Sequence, residues 1–558
     1  MKQRTIRNLI QNSCDLYSTR MALSVVDSSG YTYKQLYDRA LSIALKLKKY
    51  GIQKGNKVAI LSENNPEWGL SYLAINILGA VTVPILNDFS TKEIKEILVH
   101  SEAKALFISQ KFLSKIEQEI ASLDYVFGIE DIKLNKNLSS QKLIEDYNLE
   151  TIGINVSFDK EFGILDENDL SSIIYTSGTT GSSKGVMLMH KNLVSNLEAA
   201  FELQEVNTED RFLSILPLSH TYECTLGFLM PIRYGASVYY LNALPSPSIL
   251  FPALKKVKPT IMLTVPLFIE KIYNGQILPQ FNSGKYKVFY KYSFFRKFLN
   301  RVAGKKLLNT LGGRLKFFGI GGALLSPEVE AFLREAKFPY AIGYGLTETS
   351  PLLAGTGPKN TKYRAAGVTV GTQKLKLINV NTETGEGEIV AKGDNIMLGY
   401  FKNQNLTNDV FTIDGWFKTG DLGYFDSNNI LYIRGRLKNM ILGPGGENIY
   451  PETIEAVVNR HKHVVESVVY EMNGKLVAKV HLNYENVEQH FEYMKSSIKN
   501  YHNDVQLYVK DILEDVKKSV NQDVSKFSRL TLVIEQSTPF EKTPTLKIKK
   551  YLYTEVSN

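Results

Sequence analysis

Apolar positions in the first 110 residues alternate between helical and strand spacing. The segment 33–49 repeats apolar side chains every three or four positions, which predicts an amphipathic helix. The apolar run 57–61 predicts a buried strand, 67–78 a largely apolar helix, and 81–85 a further strand. Strand, helix and strand in this order favour parallel pairing, because the intervening helix crosses over the sheet.

The same alternation continues to residue 320 and then changes. Apolar runs predict strands at 105–108, 173–175, 261–265 and 315–320. From about residue 367, short strands alternate with Gly and Asn-Asn turns, which predicts a small antiparallel β-subdomain.

A compact α+β region is predicted after Arg436. A Gly-rich loop precedes a helix at 451–460, and strands follow at 464–470 and 476–482. We therefore place a domain boundary at Lys438.

The expected fold class is α/β with two domains of unequal size. The N-terminal domain, 1–437, is predicted to hold stacked mixed and parallel sheets with helices. Its β-subdomain is expected at about 367–437, and a smaller α+β domain occupies 438–558.

The composition is that of a globular protein without a disulfide framework. Hydrophobic residues make up 44% and charged residues 22% of 558 residues, which excludes a disordered chain. The two cysteines, Cys14 and Cys224, are too few for a disulfide scaffold or a Cys-rich metal site. The most apolar run, 72–86, is shorter than the roughly 20 residues that span a bilayer. No secretory signal is recognised, so we expect a cytoplasmic protein.

One segment carries most of the net charge. The chain has 66 Lys and Arg against 57 Asp and Glu, a net charge of +9, and 281–306 alone holds eight basic residues and no acidic one. The remainder is therefore near neutral, which argues against a general nucleic-acid binder.

The same segment has apolar and aromatic residues at the spacing of one helix, with Lys and Arg between them. These residues are Val288, Tyr292, Phe295, Leu299 and Val302. One interpretation is a helix on an anionic membrane surface, which would make the protein peripheral on the inner face of a membrane. The other is a helix with its aromatic face in the protein core and its lysines in water.

The segment 170–185 (LSSIIYTSGTTGSSKG) has the composition of a phosphate-binding loop. Glycines let the backbone wrap an anion, hydroxyls donate hydrogen bonds, and Lys184 supplies positive charge. A Walker A loop is excluded, because Lys184 lies between Ser183 and Gly185. A flexible Ser/Gly linker is disfavoured, because a predicted strand precedes the loop and a predicted helix, 190–204, follows it.

The sequence YTSGTTGSSKGVMLMH resembles the phosphate-loop signature of the adenylate-forming (AMP-binding) enzymes, and further family motifs follow in order from Tyr31 to Lys550. The resemblance implies a large domain and a mobile C-terminal domain. It also implies that Thr176 helps to hold Mg²⁺. The implied nucleotide-binding residues of the loop are Thr176, Ser177, Gly178, Thr179, Thr180, Gly181 and Lys184.

Two further motifs resemble the family's adenine and metal sites. The segment 319–323 (GIGGA) resembles the loop beside the adenine and implies contacts from Gly321, Gly322 and Ala323. The segment 343–351 (GYGLTETSP) implies that Tyr344 stacks on adenine beside Gly345, that Thr347 binds the α-phosphate, and that Glu348 holds Mg²⁺. One carboxylate with substrate oxygens is a usual way to hold Mg²⁺ at a nucleotide.

The remaining motifs lie in the C-terminal third. DGWFKTGD (414–421) implies that Asp421 binds the ribose hydroxyls, with Arg436 as a second ribose or phosphate contact and Lys438 at the interdomain hinge. In TPTLKIKK (543–550), Lys547 takes the position of the family's catalytic lysine; the alternative is a solvated basic tail.

The segment 216–223 (LPLSHTYE) resembles the carboxylate entrance of long-chain fatty acyl-CoA synthetases. His220 is implied at the boundary between the acyl and thiol tunnels; the alternative is a structural histidine. Glu223-Cys224 stands where such enzymes carry Glu-Arg, and Cys224 is expected to be buried and inert.

The resemblance implies an AMP-forming acid–thiol ligase that uses ATP, Mg²⁺ and CoA. A long- or medium-chain fatty acid would become acyl-AMP with release of pyrophosphate and then acyl-CoA. The closest alternative transfers the acyl group to acyl carrier protein, an acidic partner that the basic segment 281–306 would suit. A lipid-binding scaffold without activity is disfavoured, because the residues that the family's chemistry needs are present.

Overall fold

The computed structural model describes residues 3–116, 123–130, 158–177, 183–443, 447–484, 501–543 and 548–554. The helices are α1 Ile6–Tyr17, α2 Tyr33–Lys49, α3 Pro66–Leu78, α4 Thr91–Ser101, α5 Gln110–Leu113, α6 Phe158–Phe162, α7 His190–Leu203, α8 Met230–Tyr234, α9 Pro247–Val257, α10 Pro266–Ile272, α11 Leu278–Phe281, α12 Gly284–Phe289, α13 Ser293–Thr310, α14 Pro327–Glu335, α15 Gln404–Asp409, α16 Pro451–Val458, α17 Tyr501–Asp523 and α18 Tyr551–Thr554. The strands are β1 Met21–Val25, β2 Tyr31–Thr32, β3 Lys57–Leu61, β4 Val81–Pro84, β5 Ala103–Ile108, β6 Tyr125–Gly128, β7 Leu170–Ser177, β8 Ser183–Met189, β9 Arg211–Ser214, β10 Ser237–Tyr240, β11 Ile261–Thr264, β12 Phe317–Ile320, β13 Tyr340–Gly345, β14 Leu352–Gly355, β15 Val368–Thr369, β16 Lys374–Ile378, β17 Gly387–Lys392, β18 Gly399–Tyr400, β19 Phe417–Phe425, β20 Leu431–Arg436, β21 Ile441–Leu442, β22 Asn448–Ile449, β23 Val464–Met472, β24 Lys475–Leu482 and β25 Leu532–Glu535.

A seven-stranded sheet carries the predicted phosphate loop. Its strand order is β18-β8-β7-β4-β3-β5-β6. The strands β7, β4, β3, β5 and β6 pair in parallel, which confirms the pairing predicted from the alternation of strands and helices. β8 returns antiparallel to β7, and β18 pairs antiparallel with β8. The short strand β18 thus brings residues 399–400 beside the strand that follows the loop.

A nine-stranded sheet carries the predicted adenine and metal motifs. Its order is β15-β14-β13-β12-β11-β9-β10-β1-β2. The strands from β1 to β13 in this order pair in parallel, whereas β14 and β15 are antiparallel. The carboxyl ends of β12 and β13 lead directly into the segments 319–323 and 343–351.

Local sequence signals fix the ends of the helices that cover these sheets. Thr32 and Gln35 form a reciprocal capping box at the start of α2. α3 begins after Asn65, whose side chain accepts a hydrogen bond from the Trp68 amide, and ends at Gly79 with φ of 82°. Almost every residue of α3 is buried, so this helix lies within the core.

The chain divides into two compact units. The first comprises Met1–Lys376, Val390–Thr419 and Phe425–Tyr432, and the second comprises Leu377–Ile389, Gly420–Tyr424 and Ile433–Asn558. Strands β16, β17, β19 and β20 form a four-stranded sheet in that order. The second unit also contains the β21-β22 pair and the sheet β23-β24-β25, whose core includes residues of α16 and α17.

The predicted single helix in 281–306 is wrong: it is interrupted between α12 and α13. Tyr290 accounts for the break, because its ring turns inward and stacks on Phe281 at 4.5 Å between centroids. Its hydroxyl donates to Asn300 Oδ1 at 3.0 Å. Among the described residues, no helix is both long and apolar enough to cross a membrane.

Candidate nucleotide-binding site

The two arms of the predicted phosphate loop form one antiparallel pair. Thr176 on β7 lies opposite Lys184 on β8, so both side chains belong to the same face of the sheet. The Thr176 Oγ1 atom is buried and has no hydrogen-bond partner among the described residues. Of the loop residues named above, Gly178, Thr179, Thr180 and Gly181 lie outside the described residues, as does Lys547.

Lys184, Glu348 and Tyr400 form a closed triangle of polar contacts. The Lys184 ammonium donates to Glu348 Oε1 at 3.1 Å and to the Tyr400 hydroxyl at 2.8 Å. The Tyr400 hydroxyl in turn donates to Glu348 Oε1 at 2.8 Å. The structure therefore brings together the lysine and the carboxylate for which sequence motifs 164 positions apart implied phosphate and metal binding.

Glu348 is buried and nevertheless held ionised. Burial alone would raise the pKa of its carboxyl group. The charge of Lys184 and the hydrogen bond from Tyr400 outweigh burial, so the pKa lies below its ordinary value. A buried carboxylate in this state suits a divalent cation or a cationic side chain.

Two buried asparagines hold the turn that carries Thr347 and Glu348. The side-chain amide of Asn395 donates to the Thr349 carbonyl at 2.9 Å and to the Leu352 carbonyl at 3.2 Å. Asn196 on α7 donates to the same two carbonyls, and its Oδ1 accepts from the Leu352 amide. The backbone of 347–352 is therefore fixed by side chains from two distant parts of the first unit.

Tyr344 and Gly345 lie at the end of β13 where it meets β14. Tyr344 is half-buried and lies opposite Ala354. At Gly345, a Cβ atom would lie 1.8 Å from the Pro351 carbonyl oxygen, so only glycine fits this crossing of two backbone segments. The stacking of Tyr344 on adenine stays a prediction.

Tyr222 lies against the glycine loop that follows β12. A Cβ on Gly321 would lie 3.4 Å from the Tyr222 ring, and one on Gly319 would lie 3.1 Å from its hydroxyl oxygen. Gly322 adopts a φ of 86°, and both it and Ala323 are exposed. The predicted adenine loop therefore packs on the segment predicted to line the carboxylate entrance.

The imidazole of His220 makes a local structural contact. Its Nδ1 accepts a hydrogen bond from the Tyr222 amide at 3.2 Å, and its carbonyl accepts from the Cys224 amide. It thus stabilises the turn that enters the π-helix Glu223–Leu229. A role at the tunnel boundary stays a prediction.

Glu223 is a buried carboxyl group at the start of this π-helix. Its side chain is crowded, because a Cβ on Gly227 would lie 2.7 Å from Glu223 Oε1. Glu223 Oε2 has no hydrogen-bond partner among the described residues. Burial raises its pKa to about 8, against a hydrogen bond with Ser214 that lowers it. Cys224 beside it is buried and its pKa is raised to about 12, as expected of an inert thiol.

Asp421 and Arg436 pair with each other in the second unit. The Arg436 Nε lies 2.9 Å from Asp421 Oδ1, and the carboxylate is buried while the guanidinium is half exposed. The sequence motifs implied both as nucleotide contacts, and the structure brings them together. Ribose binding stays a prediction for both residues.

The donors fit Mg²⁺ held mainly by substrate oxygens. No group of three or more His, Cys, Asp or Glu gathers as a metal site within the ranges that the structure describes. Glu348 would supply one ionised oxygen ligand, and Thr176, whose buried hydroxyl has no hydrogen-bond partner among the described residues, would supply another oxygen. A single carboxylate with phosphate oxygens and water is the usual set for Mg²⁺ at a nucleotide.

Sequence reasoning missed Tyr400, Tyr222, Asn196 and Asn395. Tyr400 lies 216 positions after Lys184, and only the pairing of β18 with β8 brings the two together. The two asparagines act through the Thr349 and Leu352 carbonyls, which no side-chain pattern reveals. Tyr222 stood inside a motif that was identified, but its contact with two glycines depends on the fold.

Known proteins resemble this chain in sequence and in fold. The family model described as "AMP-binding enzyme" matches residues 10–401. A long-chain-fatty-acid–CoA ligase, FadD15, of Mycobacterium bovis is 30% identical over 459 residues, 76% of this chain and 72% of the relative. Fatty acyl-CoA synthetase A of Dictyostelium discoideum is 29% identical over 94% of this chain and 84% of its own length. The structure of an o-succinylbenzoate coenzyme A synthetase from Bacillus subtilis, in complex with ATP and magnesium ion, superposes with a TM-score of 0.72 at 21% identity, covering 98% of each chain.

Proposed function

Because the chain belongs to the AMP-binding enzyme family, we propose that it activates a long- or medium-chain fatty acid with ATP and transfers the acyl group to CoA. The observation that carries this proposal is the triangle of Lys184, Glu348 and Tyr400 beside the phosphate-loop strands. The triangle supports the proposal, because a cation and an ionised carboxylate meet at the two motifs for which the resemblance implies phosphate and metal binding.

The first half-reaction joins two anions at phosphorus. A carboxylate oxygen of the fatty acid attacks the α-phosphorus of ATP, the bond from that phosphorus to the bridging oxygen breaks, and pyrophosphate leaves. Such a step needs charge neutralisation and alignment rather than a base. Bound Mg²⁺ supplies part of that neutralisation, and Lys184 supplies a fixed positive charge at the loop.

Nucleotide binding exchanges the partners within the triangle. Without a ligand, the Lys184 ammonium is neutralised by Glu348 and held by Tyr400. A bound triphosphate would pair with Lys184 through its higher negative charge, and the Glu348 carboxylate would then be able to hold the Mg²⁺ that accompanies the phosphates. The existing pair keeps both charges oriented and compensated before ATP arrives.

The second half-reaction transfers the acyl group to a thiol. The CoA sulfur attacks the acyl carbon of acyl-AMP, the mixed anhydride bond breaks, and AMP leaves with the bond electrons. We propose CoA rather than acyl carrier protein as acceptor, because the relatives named above are CoA ligases or synthetases. We further propose that Lys547 serves the first half-reaction and that rotation about Lys438 separates the two.

Pyrophosphate release across a panel of carboxylic acids tests the function. We expect release from ATP with long- and medium-chain fatty acids and no release with amino acids. ATP-dependent thioester should accumulate with CoA and not with acyl carrier protein. Lys184→Ala should slow release about 10²- to 10³-fold, while the exposed Lys359→Ala should leave it unchanged. The absence of pyrophosphate release with every fatty acid in the panel would overturn the proposed function. Equal release in Lys184→Ala and the native chain would overturn the role of Lys184.

A further inference from the structure

The segment from α12 into α13 exposes a cluster of bulky apolar side chains. Among the described residues, five phenylalanines are strongly exposed, and four of them, Phe289, Phe294, Phe295 and Phe298, fall within ten positions. Phe294 is 77% exposed and Phe298 58%. Val288, Tyr292 and Val302 extend the same surface. Globular proteins rarely leave such a contiguous patch to water unless it contacts a partner.

The exposed face of α13 has two parallel rows. Phe294, Phe298 and Val302 recur at every fourth position and form an apolar row. Lys297, Arg301 and Lys305 recur at the same interval and lie beside it. Such a helix presents apolar groups in the middle of its outer face and cations along the edge.

The opposite face of α13 packs against the rest of the first unit, so the two exposed rows face away from it. Asn300, Gly304 and Leu307 are buried. A Cβ on Gly304 would lie 2.6 Å from the Ala336 Cβ, which shows how closely the helix packs. Arg296, on the edge of this face, makes a two-pronged ion pair with Glu335 at 2.8 to 3.2 Å.

The exposed basic residues of this surface lack close ion-pair partners in the part of the chain that the structure describes, although the charge of Lys297 helps to lower the pKa of the Glu335 carboxyl group. Six exposed Lys and Arg of this surface make no ion pair within the described part of the chain: Lys287, Lys291, Lys297, Arg301, Lys305 and Lys306. The whole segment 281–306 contains no Asp or Glu. The complementary partner is therefore both anionic and able to take up aromatic rings.

We propose that the surface formed by α12 and α13 docks on an anionic lipid bilayer. An acidic protein would satisfy the cations, but it would leave the four exposed phenylalanine rings without an apolar environment. At the interface of an anionic bilayer, the apolar row would insert among the acyl chains while the basic row contacts the anionic headgroups. The other interpretation of this segment, an apolar and aromatic face in the protein core, is wrong for Val288, Tyr292, Phe295 and Val302, because they are exposed. Of that predicted face, Leu299 packs against the core.

Co-sedimentation of the full chain with lipid vesicles tests the proposal. We expect pelleting with vesicles of phosphatidylcholine and phosphatidylserine, weaker pelleting as salt rises, and little with phosphatidylcholine alone. The double variant Lys297→Glu/Arg301→Glu should lose about tenfold or more in partitioning to anionic vesicles. Phe294→Ala/Phe298→Ala should lose about tenfold at any salt, because it removes apolar rather than electrostatic contact.

Controls separate docking from folding and from activity. Phe527→Ala removes an exposed ring elsewhere and should leave pelleting unchanged. The two double variants should keep the native melting temperature and the native rate of pyrophosphate release. Binding that ignores anionic lipid, or that survives both double variants, would overturn the proposal. So would retention of acyl carrier protein by this surface without any binding to vesicles.

Discussion

The Nζ atom of Lys184 lies 3.1 Å from Glu348 Oε1, and the Tyr400 hydroxyl lies 2.8 Å from each of them. Lys184 is implied as a ligand for phosphate and Glu348 as a ligand for Mg²⁺, and in this structure the two side chains bind each other. The pair is partly buried, with the lysine side chain 29% exposed and the carboxylate side chain 9%. Removing one partner leaves a buried charge uncompensated, which costs more than an exposed ion pair contributes.

Tyr400→Phe should weaken MgATP binding without abolishing catalysis. The variant loses the hydrogen bond that lowers the pKa of Glu348, so that pKa rises and the carboxylate protonates at a higher pH. We expect a KM for MgATP that is roughly threefold to tenfold higher. The acid limb of kcat/KM should move to higher pH in the same variant. Tyr363→Phe, at an exposed tyrosine of the same unit, should change neither.

Lys184→Met should cost both activity and stability. Loss of the fixed cation at the loop should lower kcat/KM for ATP about 10²- to 10³-fold in pyrophosphate exchange. Glu348 would then be buried without its cation, so the melting temperature should fall at neutral pH and recover partly as Glu348 protonates in acid. Lys359→Met is the matched control, since Lys359 is exposed. Full activity in Lys184→Met would contradict the proposed role.

Asn395→Ala should impair catalysis from outside the nucleotide site. The change leaves the Thr349 and Leu352 carbonyls with one donor fewer, at a cost of about 1–3 kcal/mol. The turn carrying Glu348 would loosen, and we expect kcat to fall about tenfold with a smaller change in the KM for ATP. Asn360→Ala, at an exposed position, serves as control. A lower melting temperature with native kinetics would assign Asn395 a purely structural role.

Lys438→Pro should separate the two half-reactions. Lys438 is exposed in the single turn 437–439, and proline would fix its φ near −65° and prevent a large change there. We expect acyl-AMP to form at a near-native rate while thioester formation falls at least about tenfold. Lys547→Ala should slow the formation of acyl-AMP. In single-turnover assays with preformed acyl-AMP, the same variant should form the thioester at a near-native rate. Equal loss of both half-reactions in Lys438→Pro would refute rotation at this residue.

The fold and the site differ in how far the sequence predicts them. Elements were predicted well where spacing alone decides, as in α2 and β3, whose bounds match the predicted ones. The break at Tyr290 was not predicted, because it depends on tertiary contacts: the Tyr290 ring stacks on Phe281, and its hydroxyl donates to Asn300. Likewise, Lys184 and Glu348 were identified singly as site residues, but their mutual contact and the hydroxyl of Tyr400 arise only from strand order. The spacing of residues along the chain predicts single helices and strands. The site, in contrast, depends on strand pairing between segments that lie up to about two hundred positions apart.

Glu223 should make the protein less stable as pH rises through the neutral range. In the unfolded chain its pKa is about 4.3, whereas burial raises it to about 8 in the folded protein. Between these two values the folded state keeps a proton that the unfolded state has lost. The contribution of this group to the free energy of unfolding is therefore fully present below about pH 4, and it decreases as the pH rises to about 8.

Glu223→Gln removes this dependence while keeping the side-chain shape that the crowded site beside Gly227 requires. The variant should match the native chain in melting temperature near pH 4 and exceed it near pH 8, by an amount equivalent to roughly 2–4 kcal/mol. Glu198→Gln, at an exposed position on α7, should follow the native curve. If the difference between Glu223→Gln and the native chain does not grow with pH, then Glu223 is ionised in the folded protein and must have a cationic or hydrogen-bonding partner when folded.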